Sequence, residues 1–394
     1  MSTEVSGRPN ADHPSDGSSI QPSAAATIGD TIGDTIASAV AEANRQVEIC
    51  NACRFCEGYC AVFPAIARQR SFSTGDITQL ANLCHNCRGC YYACQYTEPH
   101  EFKINIPKAL AEVRQESWQA FAFPSTLATA FHRSGTAIGL FVAIAFAMVF
   151  LLAHFLAEAG QADAGAIGFY AVMSHGLMVA IFLPAFLLPL VSLGVSLRRY
   201  WGTVGGQPVR LRHLLDAIGS AATLRNLAGG HGEGCNFEDK DRFSNSRRHV
   251  HQMVVVGFLL CFASTSVATI MHYVFDMPAP YPLLSLPKLF GLVGGLLLSF
   301  GTLAMILMKG RGDRNLGDTR VWGGEFGFIV LLFLVSTSGL ALYGLGQSPW
   351  LTQLLAFHLG TVLAFFLLTP YSKMAHGFYR MAALVRDAQL KPNQ

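Results

Sequence analysis

Charge is what this sequence has least of. Of its 394 residues only 13% are Asp, Glu, Lys or Arg, about half the share a water-soluble globular chain carries. That shortage excludes a wholly soluble protein. The net charge of +3 leaves no basic field of the kind nucleic acid requires. The first 45 or so residues lack both a basic start and a continuous apolar run, so no secretory leader is expected. They read as a polar, disordered tail that carries Thr-Ile-Gly-Asp twice, at Thr27–Asp30 and Thr31–Asp34. No Gly-x-Gly-x-x-Gly follows a strand-like run near the start, which removes a built-in dinucleotide-binding half. With no leader, the region just after the tail is expected in reducing cytosol, where thiolates hold metal rather than pair as disulfides.

Cysteine, by contrast, is present in a pattern. Eight of the ten cysteines form two identical runs, Cys50-x2-Cys53-x2-Cys56-x3-Cys60 and Cys84-x2-Cys87-x2-Cys90-x3-Cys94. Steps of three bring successive thiolates round one side of a tight turn, enough to hold three corners of a [4Fe–4S] cube. In two-cluster ferredoxins the fourth cysteine serves the other cluster. That rule groups Cys50, Cys53 and Cys56 with Cys94, and Cys84, Cys87 and Cys90 with Cys60. The proline usual after the fourth cysteine is absent, Ala61 and Gln95 standing there. The departure is from the smallest ferredoxins and leaves the ligand count intact. Between the runs, Pro64–Arg68 and Asp76–Leu83 have a helical pattern. Zinc is the competing occupant, but its structural sites use separated two-cysteine knuckles, which four crowded cysteines fit poorly. Cys261 reads as apolar core. Cys235 stands in a glycine-rich loop with its role open.

The remainder is apolar. Six stretches near residues 136–157, 167–197, 252–275, 286–308, 325–345 and 350–371 reach the roughly 20 residues a helix needs to cross a bilayer. The loop from Arg198 to Arg248 is basic, as are Lys309–Arg320 and Lys373–Lys391, whereas the alternate loops hold no Lys or Arg. The excess of basic residues on one side predicts six crossings with both ends and the cysteine head in the cytoplasm. A transporter shares that topology, and a zinc-headed transporter is one alternative.

Histidine inside a bilayer is a functional candidate by default. His358 and His376 lie 18 residues apart in the last span, five whole turns, so both imidazoles are expected on one side of that helix about 27 Å apart. His251 and His272 mark the inner and outer ends of the third span, which runs the opposite way. Two depths with two imidazoles each is the arrangement for two bis-histidine b-type haems, whose closed coordination serves electron transfer. His175 rivals His358 as outer partner, His249 rivals His251, and His132 and His154 of the first span are further candidates. A one-haem protein built on His358 is also open. Glu325 and Lys288 are the charges near span ends to watch.

Several of these segments resemble the tricarballylate/citrate utilisation protein B family: Cys84–Gln95 with Pro99–Phe102, Gly229–Cys235, Leu260–Ala263 with His272–Tyr273, Ala279–Pro282, and Pro370–Arg380. The order holds over roughly residues 47–390. The closing Pro-Tyr-Ser-Lys-x-x-His also resembles the last helix of nitrate reductase gamma-type haem subunits. The resemblance implies a membrane protein with iron–sulfur clusters and b-type haem. It would reoxidise a separate flavoprotein, an FAD-dependent dehydrogenase of tricarballylate or a related acid acting in trans, and pass electrons to membrane quinone.

The fold expected is mainly α. A helical ferredoxin-like head with two [4Fe–4S] clusters (46–125) precedes a six-helix transmembrane b-type cytochrome bundle (126–385, with the loop 198–248). Tails at 1–45 and 386–394 flank them. The location expected is the inner (cytoplasmic) membrane. Competing functions are a cluster-based redox sensor or assembly protein without turnover, and service to a different dehydrogenase.

Overall fold

A computed structural model describes residues 24–159, 173–229, 232–237 and 242–391. Among these the chain is helical, and its one bridge of extended backbone joins Cys235 to Ser244. The head comprises α1 (Ala24–Cys53), α2 (Val62–Ala67), α3 (Thr74–Leu83), α4 (Gly89–Tyr92) and α5 (Ile106–Phe121). Local chemistry starts two of them. Ser73 and Asp76 form a reciprocal cap on α3, with backbone-to-side-chain distances of 3.2 and 2.9 Å. Asn105 caps α5 by accepting the Lys108 N–H at 3.1 Å, and Pro107 sits in that helix's first turn, where no N–H is needed. The apolar faces meet in one core in which Val47, Ile77, Leu80, Leu110 and Val113 are at most 2% exposed.

Both expected tails shrink. Residues 24–45 belong to α1, and Ala39 and Ala43 are buried in the head's core together with Val47. A stripe of alanines every four residues packs closely but carries little hydropathy, so the segment reads as polar. Residues 1–23 lie outside the described part. At the other end, the last helix runs to Leu390, and Asp387, only 4% exposed, pairs with Arg68 of the head.

The bundle contains α6 (Ser125–Ala159) and α7 (His175–Thr203). After the short α8 (Leu211–Ala222) come α9 (Ser246–Val274), α10 (Leu286–Arg311), α11 (Trp322–Leu345) and α12 (Leu351–Leu368), and α13 (Ala375–Leu390) returns to the head. Six helices are long and apolar enough to cross a membrane, at Ser134–Leu152, His175–Thr203, Ser246–Val274, Leu286–Arg311, Thr319–Leu345 and Leu351–Leu368. Each matches a stretch expected from hydropathy. The last differs in one respect. The helix stops at Leu368 and a new one starts at Ala375, because Pro370 cannot continue the ladder. The Ser372 N–H closes the turn onto Leu368 O at 2.9 Å. His358 and His376 therefore lie on separate helices, and the five-turn spacing expected of one helix does not apply.

Helix α6 packs on α11 and α12, α12 also on α7, and α10 on α11 and α9. The α9–α10 seam is backbone-close: a Cβ on Gly257 would stand 2.6 Å from Leu298 N, and one on Gly294 2.8 Å from Cys261 N. In lipid, where apolar surface gains nothing by leaving its solvent, small residues permit this contact. Toward α7, α12 and α13, α9 reaches with long side chains. Ring centres are 6.4 Å apart for Phe186–Phe262 and 5.8 Å for Phe258–Phe365. The head is seated on the bundle through α3 and α13: Gln79 donates to Ala383 O at 2.7 Å, Tyr200 OH donates to Gln79 at 2.6 Å, and Trp118 stacks on Tyr379 at 5.4 Å.

Candidate metal centres

The two cysteine runs share one turn: Arg54 and Arg88 each follow a run's second cysteine and take left-handed backbone, at φ 56° and 68°. Around it they differ, since Cys50 and Cys53 end α1 whereas Cys84 and Cys87 precede the short α4. The two ends then cross over. Burial comes first and neighbouring thiols second in raising Cys50 and Cys56 to about 12. For both, Cys94 is the strongest neighbouring thiol, followed by cysteines of the first run. Cys60 is raised well above its usual value by burial, then by Cys87 and Cys84, and Cys90 by burial, then by Cys87, Cys60 and Cys84. Cys60, Cys84, Cys87 and Cys90 line one recess holding about 330 Å³ of space, part of it open to solvent and walled by Tyr59, Phe63 and Ile106. The structure thus brings Cys94 to the first run and Cys60 to the second.

Among the described residues, no three His, Cys, Asp or Glu side chains converge on a point as ligands of one metal ion. A [4Fe–4S] cube, with irons at alternate corners, asks for a different arrangement, one thiolate to each of four separated irons, and Cys60, Cys84, Cys87 and Cys90 line one recess. Backbone N–H groups point at the sulfurs, from Asn86 to Cys84 and from Tyr96 to Cys94, both at 3.4 Å. Such donors stabilise thiolate and so fit a bound cluster. Thiols held neutral by burial would give up protons on taking iron.

The runs differ in depth. Cys53 is exposed, beside Phe55 at 68% exposure, whereas Cys84 and Cys87 are buried against the bundle. Around the second run stand four arginines that sequence reading passed over. Arg380 and Arg114 donate to Cys84 O at 2.5 and 2.9 Å, Arg247 to Asn86 O at 2.6 Å, and Arg88 to Phe237 O at 2.8 Å. Arg88 belongs to the run itself, whereas Arg114, Arg247 and Arg380 come from other helices, so no local spacing announces those three. Cys235 is here too, 2% exposed and packed with Cys87 and Leu227. Its sulfur is 3.3 Å from Leu227 O, and the Asn236 N–H meets Cys87 O at 3.0 Å. Glycine builds this loop. At φ 104°, a Cβ on Gly234 would strike Ser244 O at 2.1 Å. The Gly229–Cys235 segment was the available signal.

One helical turn from two of these arginines lie two of the candidate histidines: Arg247 and His251 on α9, His376 and Arg380 on α13. The His251 and His376 ring centres are 6.0 Å apart. A metal–imidazole bond is about 2 Å and a ring nitrogen lies about 1 Å from the ring centre, so two axial imidazoles on one iron have centres roughly 6 Å apart. His376 directs Nδ1 to Lys373 O at 2.5 Å, so Nε2 is the nitrogen that could hold a metal. His251 Nδ1 is buried without a hydrogen-bond partner. Burial, then Arg380, pushes His376 well below its usual pKa, toward the neutral form that ligates metal. His249 sits two residues earlier, about 200° round the helix.

The outer histidines are arranged otherwise than expected. His272 stacks on His175, at 4.4 Å between centres and 23° between planes, the rival partner and not His358. His358 bonds Ser338 of α11 through Nδ1 at 2.9 Å and lies over Gly339, where a Cβ would be 3.1 Å from its ring. At 4.4 Å the stacked pair has no room for an iron between its rings, although His272 Nδ1 is also buried and unbonded. His154 is 3.5 Å from Thr352 Oγ1. The His132 side chain lies outside the described residues. Glu325 is bridged by Lys309 at 2.6 Å and by Lys373, and Lys288 lies over the Tyr343 ring. Cys261 is in α9, half-buried at the α10 seam.

Comparison with known proteins follows this division of the chain. Residues 43–120 match the family description "Citrate utilization protein B Fer4-like domain", and residues 132–394 match "Citrate utilization protein B". A curated protein from Escherichia coli, "Citrate utilization protein B", is 41% identical over 347 residues, covering 88% of this chain and 91% of its own. No solved structure matches. With head and bundle each matched and a relative aligned over nearly its whole length, this chain belongs to the citrate utilization protein B family.

Proposed function

We propose that the protein is a membrane electron-transfer unit. It would take electrons from a separate flavoprotein dehydrogenase of tricarballylate or a related tricarboxylate, and deliver them to the quinone pool. The observation that carries this reading is the crossover of the thiols, Cys60 with Cys84, Cys87 and Cys90 and Cys94 with the first run. Each set of four thiols would suit one [4Fe–4S] cluster, two in all. When bound, the clusters and a b-type haem supply one-electron carriers between a two-electron flavin and a two-electron quinone.

The residues set the direction. Cys53 and Phe55 leave the first run at the surface, within reach of a partner. Burial of Cys84 and Cys87 places the second run against the bundle. Arg247 and Arg380 grip the backbone of Cys84–Asn86 and stand one turn, about 6 Å, from His251 and His376. Those two histidines would hold the haem nearest the head. Their fit is better than that of any outer pair, which makes one haem the minimum and a second, at His272 with His175 or His358, conditional on those rings parting. The basic loops on the head side support a cytoplasmic head in the inner membrane.

Protein purified anaerobically in detergent should show a b-type α band and the EPR signals of two interacting cubes on reduction with dithionite. A preparation with neither acid-labile sulfide nor protoporphyrin would remove this reading and leave the zinc alternative, whereas clusters without haem would favour the sensor or assembly protein.

A further inference from the structure

Helix α8 (Leu211–Ala222) has a use that electron transfer does not explain. Its apolar arc is wider than what it packs against. Ala217 is 1% exposed, in the core with Leu384 and Val385 of α13. The other half of the arc carries Leu211 at 71%, Leu215 at 59% and Ile218 at 45% exposure. These lie at positions i, i+4 and i+7, one continuous stripe. The opposite side holds Arg212, His213, Asp216 and Ser220. Three apolar side chains left bare opposite a polar face are costly in water.

The helix is fixed at a definite level. Its last carbonyls are held by the first turns of the α9 span: Gln252 donates to Ala222 O at 3.0 Å and Arg248 to Thr223 O at 2.7 Å. One turn further along α9, Val255, Val256 and Leu259 begin the exposed apolar belt of that span. The surroundings are one-sided in charge. Arg198, Arg199, Arg210, Arg212 and Arg225 flank or occupy the segment, and its one carboxylate, Asp216, is paired with Lys391 at 3.4 Å.

We infer that α8 is an interfacial helix lying in the bilayer surface on the head side, with Leu211, Leu215 and Ile218 among the acyl chains and the flanking arginines on anionic headgroups. A hydrophobic stripe opposite a polar face, bordered by Arg, is the pattern of helices that lie in that plane. A protein occupant fits less well, since the stripe is narrow and lacks the aromatic anchors that carry protein interfaces. The inference rests on the six membrane-spanning helices and is independent of which cofactors the protein holds.

The test uses the full-length protein in lipid nanodiscs, with a genetically encoded dansylalanine replacing Leu215 in one variant and Ser220 in another. In nanodiscs of brominated phosphatidylcholine and phosphatidylglycerol, the probe at 215 should be quenched at least about twofold more than the probe at 220, and acrylamide should reverse the order. Equal quenching of the two probes by brominated lipid would overturn the proposal and leave the stripe to a protein partner. Quenching at 215 that does not fall when phosphatidylglycerol is omitted would overturn the anionic-lipid half. Retention of normal absorption in both variants shows that the fold is intact.

Discussion

In the head, eight thiols come from two stretches of eleven residues each, and the turn at Arg54 or Arg88 is enough to aim three of them. In the bundle, the two imidazoles that face one another come from α9 and α13, which meet only because α12 breaks at Pro370 and sends α13 back toward the head. The head is a water-built object with a dense aliphatic core. The bundle is lipid-built, with Phe141 and Leu188 facing outward at 73 and 64% exposure and glycines at its closest seam. A site made by local spacing tolerates changes in how helices pack. A site made between helices does not.

The sharpest way to break that contrast is to remove thiols one at a time. If the ends cross, Cys60→Ser should abolish the same EPR signal as Cys87→Ser, and Cys94→Ser the same signal as Cys53→Ser. Each should cost about half of the iron and sulfide of anaerobic preparations. A Cys60→Ser spectrum that instead resembles Cys53→Ser would show that each run serves its own cluster.

Next in size is the bundle site. His251→Ala and His376→Ala should each lower bound haem by about tenfold or more, as loss of a metal ligand does. His358→Ala should leave the haem nearest the head in place, because His251 and His376 face one another while His358 lies on α12 beside Ser338 and Gly339. Haem per protein, read from the pyridine haemochrome, decides the matter. Loss with His358→Ala and retention with His376→Ala would return the site to the outer half of the bundle.

These two tests track what was legible in the sequence. Cysteine spacing is local, so the two candidate runs can be read from eleven residues each, and the structure brings the end of each run to the other. Hydropathy is also local, and the six spans agree with it. The partner of a given histidine depends on which helices meet, which spacing along the chain does not encode. Hence His272 stands against His175, while His358 turns to Ser338. Pro370 was a readable break, and assuming a continuous helix concealed the real route by which His376 reaches His251. The alanine stripe of α1 and the arginines at Cys84 escaped notice for opposite reasons. The first has little hydropathy to show, and the second has no neighbours in sequence.

A smaller effect tests the seam between the two regions. Asp387→Asn leaves Arg68, which is itself partly exposed, without its anion. For a pair buried on one side only, the cost should fall below the roughly 3–5 kcal/mol of a fully buried one, to about 1–2 kcal/mol. Loss of cluster absorption on heating should come several degrees earlier, with the spectra at room temperature unchanged. An unshifted transition would mean that the Arg68–Asp387 pair adds nothing to the other contacts between head and bundle, such as Gln79–Tyr200 and Trp118–Tyr379.

The smallest effect separates two acceptors for one thiol. Cys235 lies against Cys87 and also 3.3 Å from Leu227 O, and a thiol has one proton to give. With iron on Cys87, a hydrogen bond from Cys235 to that sulfur favours the reduced, more negative cluster. A net hydrogen bond of about 0.5–1.5 kcal/mol corresponds to about 20–60 mV for one electron. Cys235→Ala should therefore lower the potential of the buried cluster by that amount, with iron and sulfide content unchanged, while the surface cluster at Cys53 keeps its own. An unmoved potential assigns the proton to Leu227 O and reduces Cys235 to packing. A loss of iron would instead make it a ligand, and one of Cys60, Cys84, Cys87 and Cys90 would then have to be dispensable.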